Sequence, residues 1–201
     1  MKKSLLILPL ALIAAALALT ACGGGGSSTS GGDDEAAIVE TIEKSATTSA
    51  PSKCTEFQTQ AFNEQEKATS GKEATEICEE EAKEQESPAK SVDVSNVKVE
   101  GETATAEAAI GGSALNGQTV ELELVKEDGD WKVNQFLQFT KYSAKTLGES
   151  FEKEFTATEE VGVGLAKCIS EGIGKLSQKE AEAVAFEGDL EVIESMVGDC
   201  Q

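Results

Sequence analysis

Ile38, Val39, Ile42 and Ala46 recur at the three-and-four spacing of one helix face. Asp33-Asp34-Glu35 precedes them, where a helix N-terminus favours negative charge, and Ala50-Pro51 ends the run. Ser52 then suits the cap of a second helix carrying Cys54, Phe57, Ala61 and Phe62 along one side. Ser70-Gly71-Lys72-Glu73 reads as a capping box for a third. Ala74, Ile77, Cys78 and Ala82 form its apolar stripe, Glu79-Glu80-Glu81 its solvated side, and Ser87-Pro88 its end.

The period then drops to two. Val92 and Val94, then Val97 and Val99, imply an extended stretch with a shift of register near Ser95-Asn96. Ala104, Ala106, Ala108 and Ile110 alternate with Thr103, Thr105 and Glu107; Val120, Leu122 and Leu124 alternate with Glu121 and Glu123. Trp131 and Val133 alternate with Lys132 and Asn134 and lead into Phe136. Gly101, Gly111-Gly112-Ser113, Asn116-Gly117 and Asp128-Gly129 supply the turns. The pattern predicts an α+β fold: three N-terminal helices packed on an antiparallel sheet.

Helical spacing returns after Tyr142. Leu147, Phe151 and Phe155 form one stripe. Thr156-Ala157-Thr158-Glu159 and Ser177-Gln178-Lys179-Glu180 read as capping boxes, the first ahead of Val161, Leu165, Cys168 and Ile169, the second ahead of Ala181, Val184 and Ala185. Gly188-Asp189 restarts a last helix with Leu190, Ile193 and Val197. A tail of short helices this small is marginal by itself.

The first 22 residues belong to no globular pattern. Lys2 and Lys3 open an apolar run from Leu5 to Leu19 that is too short to span a bilayer comfortably. Leu19-Thr20-Ala21-Cys22 then resembles a lipobox, at which the Cys thiol is diacylated and a dedicated peptidase cuts just before it. The alternative is an ordinary secretory signal with a cysteine nearby. The lipobox reading places residues 1–21 in a signal peptide and lipid on Cys22, holding the chain on the extracytoplasmic face of a cell membrane or envelope. Two acyl chains suffice for stable attachment. The run from Gly23 to Gly32, nearly all Gly, Ser and Thr, reads as a flexible linker, so that residues 22–34 form the lipidated tether.

Charge narrows the function further. All 17 basic residues are Lys, and Lys2 and Lys3 leave with the leader; 15 Lys then face 37 acids, a net charge of −22. That argues against nucleic acid and against electrostatic docking on anionic lipid. The absence of His removes triads with an imidazole base and the usual zinc sites, and the absence of Arg removes the guanidinium fork for carboxylate or phosphate. No cofactor is implied.

Cys54, Cys78, Cys168 and Cys200 remain beside Cys22. In an oxidising compartment they allow three pairings, and neighbouring helices favour Cys54–Cys78 and Cys168–Cys200. Each would restrict the unfolded chain by roughly 3–4 kcal/mol in the entropic account. Metal or redox roles are the alternatives; there is no C-x-x-C and no His to complete a zinc set.

Weaker candidates have plainer readings. Glu127-Asp128-Gly129-Asp130 has calcium-loop composition but sits between two strands. Gly162-Val163-Gly164 and Gly172-Ile173-Gly174-Lys175 look like phosphate loops, yet neither follows a strand and Leu176 replaces the Ser or Thr such a loop needs. Tyr142 with Lys141 or Lys145 has the composition of an acid/base pair.

The run Pro51-Ser52-Lys53-Cys54-Thr55-Glu56-Phe57, Cys78, Val97-Lys98-Val99-Glu100-Gly101-Glu102-Thr103-Ala104-Thr105-Ala106, Asn116-Gly117-Gln118 and Leu124-Val125-Lys126-Glu127-Asp128-Gly129-Asp130-Trp131-Lys132-Val133 resembles the nuclear transport factor 2-like lipoproteins of actinobacteria, over about residues 36–139. The resemblance implies a cone of three helices against a strongly curved antiparallel sheet at 35–139, followed by a disulfide-stapled helical domain at 140–201. Enzymes of that fold commonly place His, Asp, Tyr or Arg in the cone. Here the inward face offers Ala, Val, Leu and Thr, so no active site carries over and the expectation is a non-catalytic module. It would bind a protein partner or a small apolar ligand. An isomerase or dehydratase using a carboxylate in the cone, and a structural spacer or immunity-type inhibitor, are the competing readings.

Overall fold

The computed structural model of the chain describes residues 30–84, 88–157, 162–189 and 191–200. The leader, Cys22, Ser87, Thr158, Glu159, Val161 and Leu190, on which several expectations fall, lie outside them. Four helices come first: α1 (Ser30–Thr47), α2 (Lys53–Glu56), α3 (Gln60–Lys67) and α4 (Lys72–Glu84). Strands β1 (Ser91–Glu100), β2 (Thr103–Gly111), β3 (Thr119–Glu127) and β4 (Asp130–Lys141) follow and pair antiparallel in that order. Then come α5 (Ala144–Ala157), α6 (Val163–Ile173), α7 (Gln178–Phe186) and α8 (Glu191–Asp199). The chain is α+β.

One sheet face is built from the residues that the alternation singles out. Ala104, Ala106 and Ala108 lie opposite Leu124, Leu122 and Val120, and all six are buried. On β4 the alternation breaks: Val133, Phe136 and Phe139 stand opposite Leu124, Leu122 and Val120. Spacings of three, where a regular strand has two, insert an extra β4 residue at each of three register shifts. Such bulges bend and twist the strand that carries them. β1 shifts register between Ser95 and Lys98, where Asn96 takes φ +53°. At Asp128-Gly129 both residues have positive φ and Glu127 pairs with Asp130, which is the two-residue turn suited to a twisted hairpin.

α1 lies on this inner face, packed against β1 and β4. Ile38 and Ile42 are fully buried, and Thr41 and Ser45 are buried on the same stripe. Two turns of α1 grip one residue. Trp131 Nε1 donates to Asp34 Oδ1 at 2.9 Å, and Thr41 Oγ1 donates to the Trp131 carbonyl at 3.2 Å. Lys126 Nζ reaches the same Asp34 oxygen at 2.8 Å and stands 5.3 Å from the indole centroid. The far end of α1 is fixed by Ala89 N donating to the Ala46 carbonyl at 3.1 Å. α1 starts at Ser30, inside the stretch read as linker, and ends at Thr47, short of Ala50.

The second helix expected from the sequence is two. Between α2 and α3 the backbone turns extended to meet β4: Val133 N donates to the Phe57 carbonyl and Thr59 N to the Val133 carbonyl, each at 2.9 Å. Ser52 makes no side-chain cap on α2; Thr59 caps α3 by accepting from Phe62 N. The turn before α4 is held by Glu64 of α3, which accepts from Gly71 N at 2.8 Å. Ser177 and Glu180 do form the expected capping box on α7. Thr156 instead sits in the last turn of α5, donating to the Glu152 and Lys153 carbonyls.

The outer edge of β4 is closed at every third residue. After Val133, Phe136 exchanges both main-chain bonds with the Gln65 amide, at 2.7 and 3.0 Å. Phe139 N donates to Glu182 and its carbonyl accepts from Gln178, at 2.8 and 2.7 Å. An edge strand covered in this way offers no template to another chain. Phe62, Phe136, Phe186, Phe139 and Tyr142 stack in sequence with centroids 4.8–5.3 Å apart, joining α3, β4 and α7. α5 and α6 cross closely because Gly148 has no side chain: a methyl there would collide with the Ser170 carbonyl and stand 3.0 Å from Gly174 N. The buried apolar cluster includes residues on both sides of position 140.

The bonds from Lys126 and Trp131 hold the Asp34 carboxyl below the usual carboxylate range. A depressed value in the folded chain contributes stability that is complete above the ordinary range and disappears as pH falls through the folded value. Asp34→Asn is therefore expected to unfold at lower urea than the parent at neutral pH, with the gap closing in acid. Urea titrations at both pH values check this, and a gap independent of pH would contradict it.

Candidate functional site

α2 is only four residues long, yet it positions a side chain and a staple. Cys54 on α2 is bonded to Cys78 on α4, with Cα atoms 6.1 Å apart and both cysteines buried. Asn63 of α3 holds the same turn, donating from Nδ2 to the Cys54 carbonyl at 2.8 Å. Lys53, next in the chain, is thereby fixed with only 9% of its surface exposed.

Lys53 lines a cavity of about 120 Å³ between the end of α1, α2, α3 and the inner sheet face. Ile42, Phe62, Val92, Ala108, Leu122 and Val133 form its buried walls. The half-buried Ala46, Ile110, Ser113 and Leu115 gather where α1 ends and where β2 passes into the turn before β3. From β2 the lining takes Ala108, a small side chain, and Ile110.

One wall is polar. The Gln58 amide donates to Ser45 Oγ at 3.0 Å, and both residues are buried. Gln58 Oε1 lies 3.4 Å from Cys78 Sγ, which has no proton to donate once bonded to Cys54, so this is a contact only. Burial pulls the Lys53 ammonium below the ordinary lysine value; Glu66 and Glu81 pull it back and Lys67 reinforces the fall. Lys67 is half-buried, which lowers its value, but Glu66 at 3.6 Å and Glu81 at 2.6 Å outweigh that and raise it. Glu66 lines the cavity. A small apolar chamber with an amide, a hydroxyl, an ammonium and a carboxylate along one side suits a molecule with an apolar body and one polar end.

The other candidates are dispersed. Cys168 on α6 is bonded to Cys200 just beyond α8, with Cα atoms 5.8 Å apart, and both are half-buried. Glu127-Asp128-Gly129-Asp130 is the tip of the β3–β4 hairpin, and no three of His, Cys, Asp and Glu gather as a metal site among the described residues. Gly162-Val163-Gly164 opens α6, with Val163 exposed. Gly172 packs against Met196 of α8, and Gly174 ends α6 beside Gly148 of α5. Gly172 and Gly174 serve helix contacts, whereas a side chain at Gly162 or Gly164 would meet open space. Tyr142 donates its hydroxyl to the Leu176 carbonyl at 2.9 Å, and burial raises its value, with Glu180 adding to the rise. Lys145 reaches Glu149, so Tyr142 and Lys145 form no acid/base pair.

The polar wall escaped the sequence reading. Its signal was present: Thr41 and Ser45 are polar residues in phase with Ile38 and Ile42, and Gln58 stands between Phe57 and Phe62 where an apolar stripe was expected. Polar residues in a buried phase mark either a satisfied core bond or a site. Ser45 and Gln58 bond each other and also line the cavity.

Among the described residues, no helix is long and apolar enough to cross a membrane. No protein-family model matches the chain, and neither the search of curated proteins nor that of solved structures finds a match.

Proposed function

We propose that this chain is a non-catalytic binding module, anchored on the extracytoplasmic face of a bacterial membrane by lipid on Cys22. Its cavity takes a small molecule with an apolar body and one polar end. The cavity between α1 and the alanine face of β2 is the observation that carries the binding reading. The lipobox of Leu19-Thr20-Ala21-Cys22 carries the anchoring reading, and the two disulfides suit an oxidising compartment.

The chain divides, on this reading, into a signal peptide at 1–21, a lipidated tether from Cys22, a nuclear transport factor 2-like cone at 35–139 and a helical domain at 140–201. The bulged β4, which bends the sheet beneath α1, supports the cone. At about 120 Å³ the chamber falls below the roughly 300 Å³ at which drug-sized pockets begin. A single ring or a short branched chain is the expected size; an apolar cavity of about 150 Å³ holds benzene.

A second reading draws on Glu66, a carboxylate in the wall beside Lys53. It would make the module an isomerase or dehydratase that removes a proton next to a carbonyl.

Three outcomes test these readings. Cys22→Ser is expected to leave the chain uncut or release it from membranes, as read by intact mass and by fractionation; a mature-sized variant still on lipid would refute the anchor. Ala108→Leu is expected to fold with both disulfides and to lose at least about tenfold in affinity for benzyl alcohol and benzoate. Thermal shift with the two probes reads that loss, and equal binding by parent and variant would exclude this chamber. A small cyclic ketone held with the parent in heavy water should gain no deuterium beside its carbonyl. Exchange that Glu66→Gln abolishes would install the carboxylate reading instead.

A further inference from the structure

The sheet has two unlike ends. At one lie the β1–β2 turn at Gly101 and the β3–β4 turn at Gly129, drawn together where Lys126 N donates to the Glu102 carbonyl at 2.8 Å. Asp34 ties the start of α1 to this end through Lys126 and Trp131. At the other lie the start of β1, the end of β2, the start of β3 and the end of β4, as the pairs Ser91–Gly111 and Thr119–Lys141 require. α1 finishes there, with Ala46 bonded to Ala89. Ala46, Ala89, Ser113 and Leu115 all line the cavity, so it lies toward this second end, with Glu66 of α3 as its one exposed lining residue.

We infer that the anchored chain holds its turn end toward the bilayer and its cavity toward the aqueous phase, so that the ligand is a small water-borne solute and not a lipid drawn from the membrane. The inference rests on lipidation of Cys22. Cys22 precedes Ser30 by eight residue steps. Whatever their conformation, those steps span at most about 29 Å. The 18 residues of α1 run about 27 Å from the turn end to the cavity end. Laying the cavity on the lipid would require the connecting segment to run back along nearly the whole of α1, at close to full extension. With the turn end down, no such extension is needed.

Charge opposes this arrangement, but reach decides it. Asp33, Glu35, Glu100, Glu102, Glu127 and Asp128 are exposed at the turn end, while Lys90 and Lys141 are exposed at the other. An anionic bilayer would attract the lysines with about 1 kcal/mol for each one near the surface. Neither lysine nears the surface without the extension just described. Repulsion of the acids keeps the turn end clear of the headgroups but cannot invert the molecule. The size of the chamber points to the same ligand class, since about 120 Å³ cannot enclose a lipid tail.

Glu102→Cys and Lys141→Cys place one free thiol at each end, on exposed residues, for a maleimide donor dye. The full lipidated chain is bound to phosphatidylcholine–phosphatidylglycerol vesicles that carry a headgroup acceptor. Strong energy transfer from position 102, and loss of most of it at position 141, is the expected result. Chain that floats with the vesicles but transfers equally from both positions, or more from 141, overturns the orientation alone. Chain that fails to float overturns the anchoring and the orientation together.

Discussion

The grip of α1 on Trp131 orders the rest of the molecule. Asp34 and Thr41, two helical turns apart, hold the side chain and the main chain of a single β4 residue. That contact sets α1 across the inner sheet face with Ile38 and Ile42 pressed into it. β2 presents Ala104, Ala106 and Ala108 to that face and then Ile110, and the helix and the sheet part around the cavity that Ile42, Ala46, Ala108 and Ile110 line. The cavity is what remains of that parting, and Ser45 and Gln58 meet along its wall. A chain rich in Val, Leu and Ala has few ways to build such a space without collapse; a helix pinned at both ends is one of them.

β4 carries the second constraint. It bonds to β3 on one side and must do something with its other edge. Backbone from Phe57 to Thr59, the amide of Gln65 and the pair Gln178–Glu182 take up that edge at Val133, Phe136 and Phe139. The same three residues direct their side chains into the apolar cluster. The bulges that break the alternation therefore serve both faces of the problem: they keep the inward residues inward and present a main-chain pair to each covering element. Five of the nine aromatic rings stack along this seam, which is how a thin aromatic supply still joins α7 to the sheet.

Much of this was legible along the chain. The strands announced themselves because Ala104 to Ala108 and Val120 to Leu124 each alternate without interruption and Asp128-Gly129 permits one kind of turn. The cysteine partners were legible because each pair joins segments close together in the chain, 24 and 32 residues apart. The split between α2 and α3 was not, because it is imposed by hydrogen bonds to Val133, some 75 residues away, and leaves no Gly or Pro as a local mark. The end of β4 was blurred for a related reason: three bulges replace the period of two with a period of three that matches neither strand nor helix. The polar wall was hidden because Ser45, Lys53 and Gln58 come together only through the Cys54–Cys78 link and the turn of α1 above it.

The functional reading follows from that geometry. On the proposed reading, a chamber at one end of the fold and a lipobox upstream of α1 at the other would make a tethered receptor for something dissolved outside the cell. All of it depends on α1 lying where Asp34 and Trp131 put it. The chain has one tryptophan, so its indole Nε1–H gives one proton resonance in an isotope-edited spectrum. The account predicts cross-relaxation from that proton to the β-protons of Asp34, and a shift that titrates below the usual carboxylate range. An indole proton with no contact to α1, and no response to acid short of unfolding, would contradict it.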